Sequence, residues 1–236
     1  MKTKNYINKM NVFELIGIII GDGSIWYYPD KKAYALEISG NAEEEQEYFI
    51  EISKFLEQIT GKKAKIKVKT ESNAKTLKLY LYSKEFVEYL INDLKITNKN
   101  KTFTAKIDEK FLDWEFSKHV LRGLFDTDGS LYFSKIKGIY NYPRLEIKTS
   151  SKELAEQIIE ILSKNGFNPK KRTSKSDRTI GICLNGPEML DKWFKDIGFR
   201  NEKNLSKYLV FKKLGHSIPK ISTKERIELM GGWPSG

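Results

Sequence analysis

Apolar residues along this chain recur at two different spacings, and the same succession of spacings occurs twice. Residues 13–24 read F-E-L-I-G-I-I-I-G-D-G-S, and residues 119–130 read H-V-L-R-G-L-F-D-T-D-G-S. Superposition puts Leu15 on Leu121, Gly17 on Gly123, Asp22 on Asp128, Gly23 on Gly129 and Ser24 on Ser130. The run Leu15–Ile20 alone would suit a buried strand as well as a helix. The second copy arbitrates, because Val120, Leu121, Leu124 and Phe125 recur at helical spacing. Both segments are therefore predicted helices. Asn11 and Glu14 have capping-box spacing before the first, and Asp113 or Ser117 can cap the second.

After each such segment the period drops to two. Ser24–Tyr28 and Tyr34–Ser39 predict a strand pair around the turn Pro29–Lys32, and Ser130–Ile136 with Arg144–Thr149 predict its counterpart, with a turn about three residues longer. A helix follows in each case. One is Glu43–Thr60, with Phe49, Ile52, Leu56 and Ile59 on one face; the other is Lys152–Asn165, with Leu154, Ile158, Ile161 and Leu162. Second strand pairs come next, Ala64–Thr70 with Thr76–Tyr82 and Lys170–Ser174 with Thr179–Leu184, and then helices at Lys84–Leu94 and Pro187–Ile197. Each half is αββαββα, so the chain is an α+β internal duplication of roughly 100 residues per unit. The halves are placed at 1–105 and 114–212, joined by a linker at 106–113. A tail at 213–236 carries a short helix at Thr223–Met230 and ends loosely at 231–236.

Two features of the repeated segment carry chemistry. A glycine within a helix costs about 1 kcal/mol against alanine, yet Gly17 and Gly123 share a slot, with Gly21 or Thr127 four residues on along the same face. Small residues at that spacing let two helix backbones approach closely. The two segments are expected to pack together, with both Asp-Gly ends side by side. A carboxylate there is electrostatically awkward, because a helix C-terminus closed by glycine favours a cation. A matched pair of such acids implies a purpose.

Composition narrows the classes. The chain has 236 residues, 39% hydrophobic and 31% charged, with a single cysteine (Cys183) and two histidines (His119 and His216). That excludes a disulfide framework, a cysteine-based zinc cluster and a histidine-rich metal centre. No apolar run approaches the roughly 20 residues needed to span a bilayer, and Met1–Met10 has no secretory apolar region. An intracellular protein with no membrane partner is expected, in the cytoplasm of a prokaryote or, as the other setting, in an organelle. The net charge of +11 calls for an anionic partner.

The charge falls in a pattern. Ile66 and Val68 alternate with Lys65, Lys67 and Lys69; Leu77, Leu79 and Leu81 alternate with Thr76, Lys78, Tyr80 and Tyr82. Leu145 and Ile147 alternate with Arg144, Glu146 and Lys148, and Lys170 and Arg172 lie in the equivalent strand, with Arg178 following. One face of each sheet should then pack on helices while the other offers basic and hydrogen-bonding side chains, suited to the phosphates and base edges of a DNA groove.

The stretches Leu15–Gly23 (LIGIIIGDG) and Leu121–Gly129 (LRGLFDTDG), each followed by the same strand and helix order, resemble the LAGLIDADG motif. The duplicated pattern over residues 11–212 resembles single-chain LAGLIDADG homing endonucleases. The resemblance implies a pseudo-twofold monomer whose two antiparallel sheets form a saddle on double-stranded DNA, with the motif helices packed at its centre. It implies that Asp22 and Asp128, with the backbone carbonyls of Gly21 and Thr127, bind Mg²⁺ or another divalent metal. Hydrolysis across the minor groove would cut both strands of a long, partly asymmetric target, leave short 3′ overhangs and promote intron mobility. Oxygen-only ligands suit such a hard cation, which can activate water and stabilise charge on a phosphodiester. Lys99 or Lys101 in the first half and Lys203 in the second are candidates to complete the pocket. Where many relatives carry a glutamine, this chain has Gly40 and Thr149. Asp126, matched by Ile20, reads as interface or cap structure.

An RNA-binding maturase that assists intron splicing is the main alternative, and a DNA-binding regulator without catalysis is a third. Retention of both acids favours the nuclease. The Met-Lys start and Pro-Ser-Gly end, without a splicing nucleophile or a terminal His-Asn, disfavour an intein.

Overall fold

The computed structural model describes residues 9–71, 74–136, 138–173 and 178–232. The first half runs α1 (Val12–Asp22), β1 (Gly23–Tyr28), β2 (Ala33–Asn41), α2 (Gln46–Thr60), β3 (Lys65–Glu71), β4 (Ala74–Leu81) and α3 (Lys84–Asn92). A one-turn helix α4 (Lys101–Thr104) leads into the second half: α5 (Trp114–Asp128), β5 (Gly129–Ile136), β6 (Ile139–Thr149), α6 (Lys152–Lys164), β7 (Lys170–Thr173), β8 (Ile180–Asn185) and α7 (Pro187–Asp196). Two further helices, α8 (Glu202–Leu214) and α9 (Thr223–Leu229), close the described chain. The duplicated αββαββα expectation holds. Each half carries a four-stranded antiparallel sheet, in the orders β1-β2-β4-β3 and β5-β6-β8-β7.

The two motif helices pack directly on each other. A Cβ built on Gly17 would lie 2.0 Å from the Val120 carbonyl oxygen, and one on Gly123 would lie 2.1 Å from that of Glu14. Only glycine admits so close a backbone approach, which explains a residue that helix propensity disfavours. Around this seam Leu15, Ile16, Ile18, Ile19, Val120, Leu121, Leu124 and Phe125 are almost completely buried, and they join a core shared by both halves.

Several expectations are corrected. The helix ends are not closed by left-handed glycines: Gly23 (φ −84°, ψ 151°) and Gly129 (φ −83°, ψ 159°) are extended, so each helix feeds straight into a strand. Glycine is needed there for space, since a Cβ at Gly23 would lie 2.5 Å from Ile19 Cα, and one at Gly129 2.5 Å from the Phe125 oxygen. The Asn11 cap forms, with its Oδ1 accepting from Glu14 N at 3.0 Å, but Glu14 does not complete the box because its side chain turns inward to two arginines. Asp113 precedes α5 without a side-chain cap, and Ser117 lies inside that helix, buried.

Helix α2 begins at Gln46 rather than Glu43, because Asn41 Oδ1 accepts from the Glu43 and Glu44 amides and holds them in a turn. The extra residues of the second hairpin lengthen β6, with a register shift between Ser134 and Ile136, instead of enlarging the turn. Ile59 is 42% exposed. Ile66 and Val68 are also open to solvent, because β3 is an edge strand that the helices do not cover. Ser174 and the last four residues of the tail lie outside the described residues.

Candidate active site at the paired helix ends

Asp22 and Asp128 are the last residues of α1 and α5. The seam continues to this end. A Cβ on Gly21 would lie 2.0 Å from Thr127 Oγ1 and 3.5 Å from Asp128 Oδ2, so the Asp128 carboxylate stands beside the backbone that carries Asp22. Thr127 turns its hydroxyl back to the Gly123 and Leu124 carbonyls, both at 3.0 Å.

Both acids titrate away from the ordinary carboxylate range. Burial first, then the Asp128 charge, then that of Glu45, raise the Asp22 pKa to about 6, against the pull of Lys203 and Lys101. Asp128 keeps a solvent-exposed surface, yet the protein packed around it still raises its pKa, opposed by Lys101 and Lys203. Lys101 is one of two compensating charges. Its ammonium donates to the carbonyls of Gly21 and Gly23, each at 2.5 Å, and of Ile19 at 3.2 Å. It thus occupies the negative end of α1, where a cation is favoured. Burial lowers its pKa while both aspartates raise it. A cavity of about 210 Å³ opens here, lined in part by Gly21, Lys101, Asp128, Lys148 and Thr149.

Lys203, near the start of α8, approaches from the other half and donates to Glu45 Oε1 at 2.9 Å. Glu45 also accepts from Asn201 Nδ2 and from the Asn41 amide, both at 2.6 Å. Gly40 is sterically required beside it: a Cβ there would meet Phe49 at 2.5 Å and Glu45 Oε2 at 2.8 Å, so a glutamine has no room. Lys99 is exposed on the segment before α4, and its carbonyl accepts from Thr104 Oγ1.

Beneath the site lies a charged cluster with no sequence signal. Glu14 is fully buried between Arg122 (2.9 Å) and Arg200, whose Nε lies 2.5 Å from Oε1. Arg200 N donates to Asp126 Oδ2 at 2.7 Å, and Asn201 Nδ2 to the Asp126 carbonyl at 2.9 Å. Asp126 is thus structural, and burial with the Glu14 charge raises its pKa to about 7. His119 Nδ1 lies 2.8 Å from Arg122 Nη2; burial and that guanidinium lower its pKa to about 4, so it accepts as neutral imidazole.

The expected sheet faces are present but uneven. Cross-strand pairing puts Glu37, Ser39, Lys78, Lys65 and Lys67 on one face of the first sheet, and Arg144, Glu146, Lys148, Lys170 and Arg172 on one face of the second. Lys65, Lys67, Lys69, Lys148, Lys170, Arg172 and Arg178 are exposed. Lys78 is engaged by Glu37 (2.8 Å) and Ser39 (2.7 Å). Tyr80 is only 7% exposed, set between Trp26 and Tyr82 at ring distances of 6.0 and 6.2 Å, because the bulky indole on β1 covers it. Arg144 is braced by Ser134 Oγ (2.9 Å) and Asn185 Oδ1 (2.8 Å), while Glu146 accepts from the Cys183 thiol at 3.4 Å.

Paired helix-end carboxylates on a duplicated α+β frame with basic sheet faces define a two-motif protein of homing-endonuclease-like architecture. Residues 12–110 match the WhiA LAGLIDADG-like domain and residues 115–198 match the LAGLIDADG-like domain. The chain belongs to the LAGLIDADG family and carries two such domains in tandem.

Among solved structures, the homing endonuclease I-WcaI bound to its DNA recognition sequence is 15% identical, covering 82% of this chain and 84% of its own, with a TM-score of 0.59. The meganuclease I-SmaMI bound to uncleavable DNA is 13% identical over 96% and 99% of the chains, at a TM-score of 0.54. I-DmoI in complex with DNA and Mn is 19% identical over 78% and 94%, also at 0.54. At these identities the likeness is one of fold. No curated protein matches the chain in sequence. No described helix is long and apolar enough to cross a membrane.

Proposed function

We propose that the chain is a divalent-metal-dependent, site-specific endonuclease that cuts both strands of a long, partly asymmetric DNA target and so promotes intron mobility. The observation that carries this reading is the pairing of Asp22 and Asp128 at the adjoining helix ends, with the Asp22 pKa held near 6. A protein that only bound DNA would gain nothing from keeping two strained acids together.

The donors fit a hard cation. Asp22, Asp128 and the carbonyls of Gly21 and Thr127 are all oxygen ligands, and Lys101 already serves as an internal cation at the end of α1. When bound there, Mg²⁺ would supply Lewis acidity at the scissile phosphate and lower the pKa of the attacking water. The protein's own groups do the rest. The two carboxylates orient water between the strands, and Lys101 and Lys203 hold positive charge where the phosphate gains negative charge. The exposed Lys65, Lys67, Lys69, Lys170 and Arg172 set the register on phosphates, while the braced Arg144 and Glu146 suit base edges. The relatives' solved complexes with DNA, and with DNA and Mn, support the same partner and cofactor class.

A second reading, DNA binding without cleavage, has two observations in its favour: the match of the first half to the WhiA LAGLIDADG-like domain, and the ammonium of Lys101 already seated on three carbonyls. Selection from a randomised DNA library by cutting, run with Mg²⁺ and with EDTA, separates the readings. Enrichment of one long site in Mg²⁺ alone supports the endonuclease. A library that is bound and enriched by capture, but never cut, supports the second.

A further inference from the structure

The first sheet is aromatic at one end of its basic face, where its counterpart in the second half is polar. Alternate residues of a strand share a face. The pairs Trp26–Ala35 and Glu37–Tyr80 therefore put Trp26 and Tyr80 on the face that also carries Lys65 and Lys78. Tyr82, one residue past β4, lies nearly parallel to Tyr80 (13°, ring centroids 6.2 Å apart), and the Trp26 indole meets Tyr80 edge-on at 6.0 Å. The matching pairs of the second sheet are Tyr132–Arg144 and Glu146–Cys183, with Asn185 opposite Arg144. That face stays basic and hydrogen-bonding, as groove contact asks. The first half departs from its own duplicate.

A cavity of about 390 Å³ opens beside these rings, between the β1–β2 turn and the start of α3. Trp26 and Tyr82 line it, with Tyr82 still 53% exposed, and the small side chains of Ala33 and Ala35 leave space next to them. Lys32, Lys62 and Lys84 share the lining. Among the described residues the lining holds one carboxylate, Glu85, and Lys62 Nζ takes it at 2.8 Å. Lys32 is exposed on the turn, in the left-handed conformation (φ 48°), with its N–H on the Pro29 carbonyl at 3.0 Å. Lys84 is exposed in the first turn of α3 and reaches Glu88 only at 3.8 Å. Lys65 adds a further ammonium 5.9 Å from the centre of the Tyr82 ring.

The cavity thus combines flat π surfaces, room for a ring and an excess of cations. Paired bases keep their faces in the stack and show a groove only their edges. A base released from the stack offers the face that Tyr and Trp take up, and its phosphate suits lysine. We propose that this cavity binds one unpaired nucleotide, with the base against Tyr82 and Trp26 and the phosphate on Lys32 and Lys84. Trp26 lies four residues along β1 from Asp22, about 14 Å at strand spacing. The nucleotide comes either from a DNA strand opened near the candidate centre or from an RNA loop, and both sources share this chemistry. The inference needs no cleavage, so it stands or falls apart from the endonuclease reading.

The test is binding of short oligonucleotides carrying 2-aminopurine, whose fluorescence is quenched by stacking, measured in EDTA. A DNA single strand, its ribose equivalent and the blunt DNA duplex are titrated with wild type, Tyr82→Ala, Tyr82→Phe and Ala33→Glu. Wild type should quench the single strands. Tyr82→Ala should lower the ratio of single-strand to duplex affinity about 5–150-fold, the range that a stacked base is worth. Tyr82→Phe keeps the ring and should keep the ratio, which a hydrogen bond from the phenol to a base edge would not allow. Ala33→Glu puts a carboxylate into the cavity and should lower the same ratio. The tighter of the deoxyribose and ribose strands identifies the source, and either order supports the proposal. It is overturned by a wild type that quenches neither strand, by a ratio unmoved in Tyr82→Ala, or by an equal loss in Tyr82→Phe. If Tyr82→Ala fails to fold, the ratio for Ala33→Glu decides in its place.

Discussion

Replacing Gly17 by alanine tests the helix seam with a change of sign as well as size. In an unencumbered helix that substitution stabilises by about 1 kcal/mol. Here the new Cβ would lie 2.0 Å from the Val120 oxygen and 2.6 Å from the Leu124 nitrogen, both backbone atoms that no rotamer change can move. Ordinary contact begins near 3.4 Å, so α1 and α5 must part by about 1.4 Å. Overpacking a core costs about 1–3 kcal/mol, and with backbone on both sides the upper end applies. For a chain of this length, each kcal/mol moves Tm by roughly 2–4 °C. A fall of roughly 6–12 °C is expected by circular dichroism. Gly123→Ala meets the Glu14 oxygen at 2.1 Å and should cost a similar amount, with the double variant less than additive because both changes open one seam. An unchanged or raised Tm in Gly17→Ala would refute the account of the seam.

Three further outcomes follow from the buried charges. Glu14→Gln removes the buried carboxylate charge that Arg122 and Arg200 share, and should cost about 3–5 kcal/mol in denaturant unfolding. Asp126 has a folded pKa near 7, above its unfolded value, so its contribution is complete below about pH 4 and is lost as pH rises towards 7. Asp126→Asn should flatten that part of the stability profile measured by chemical denaturation from pH 4 to 8. Asp22→Asn removes a buried charge and half of a repelling pair, and should raise stability at pH 8 by on the order of 1–3 kcal/mol while abolishing double-strand cleavage, the opposite of a structural lesion.

The sequence reveals what is written locally. The shared glycine slot at Gly17 and Gly123 records a backbone approach, and the alternation at Leu77–Leu81 records a strand covered on one side, so both survive as pattern. Register and sheet order do not. Ile66 and Val68 alternate as well as Leu77 and Leu79 do, yet β3 sits at an edge and leaves them in solvent. Glu14 has the spacing of a capping residue, and nothing near it in sequence announces partners 108 and 186 positions away.

Helix α8 escapes pattern reading because it has no polar face turned consistently outward. Asn204 and Ser206 are buried alongside Leu205, Tyr208 and Val210. The two acids of the site are legible because the repeat marks them, whereas no pattern singles out the residues that brace Lys203: Glu45, at the head of a repeated helix, and Arg226, in the tail beyond the repeats. Lys101 was distinguishable from Lys99 only by its reach, since the turn α4 aims it back at α1.

The central claim is that Asp22 and Asp128 form one metal-dependent centre. The most direct measurement is cleavage of a selected target in Mg²⁺ by wild type, Asp22→Asn and Asp128→Asn, with DNA affinity measured in parallel. The account predicts double-strand scission by the wild type, its abolition or reduction to nicking in either variant, and retained binding in all three. A variant that lacks either carboxylate and still cuts both strands at the wild-type rate, or a wild type that binds the site and leaves it intact, would contradict it.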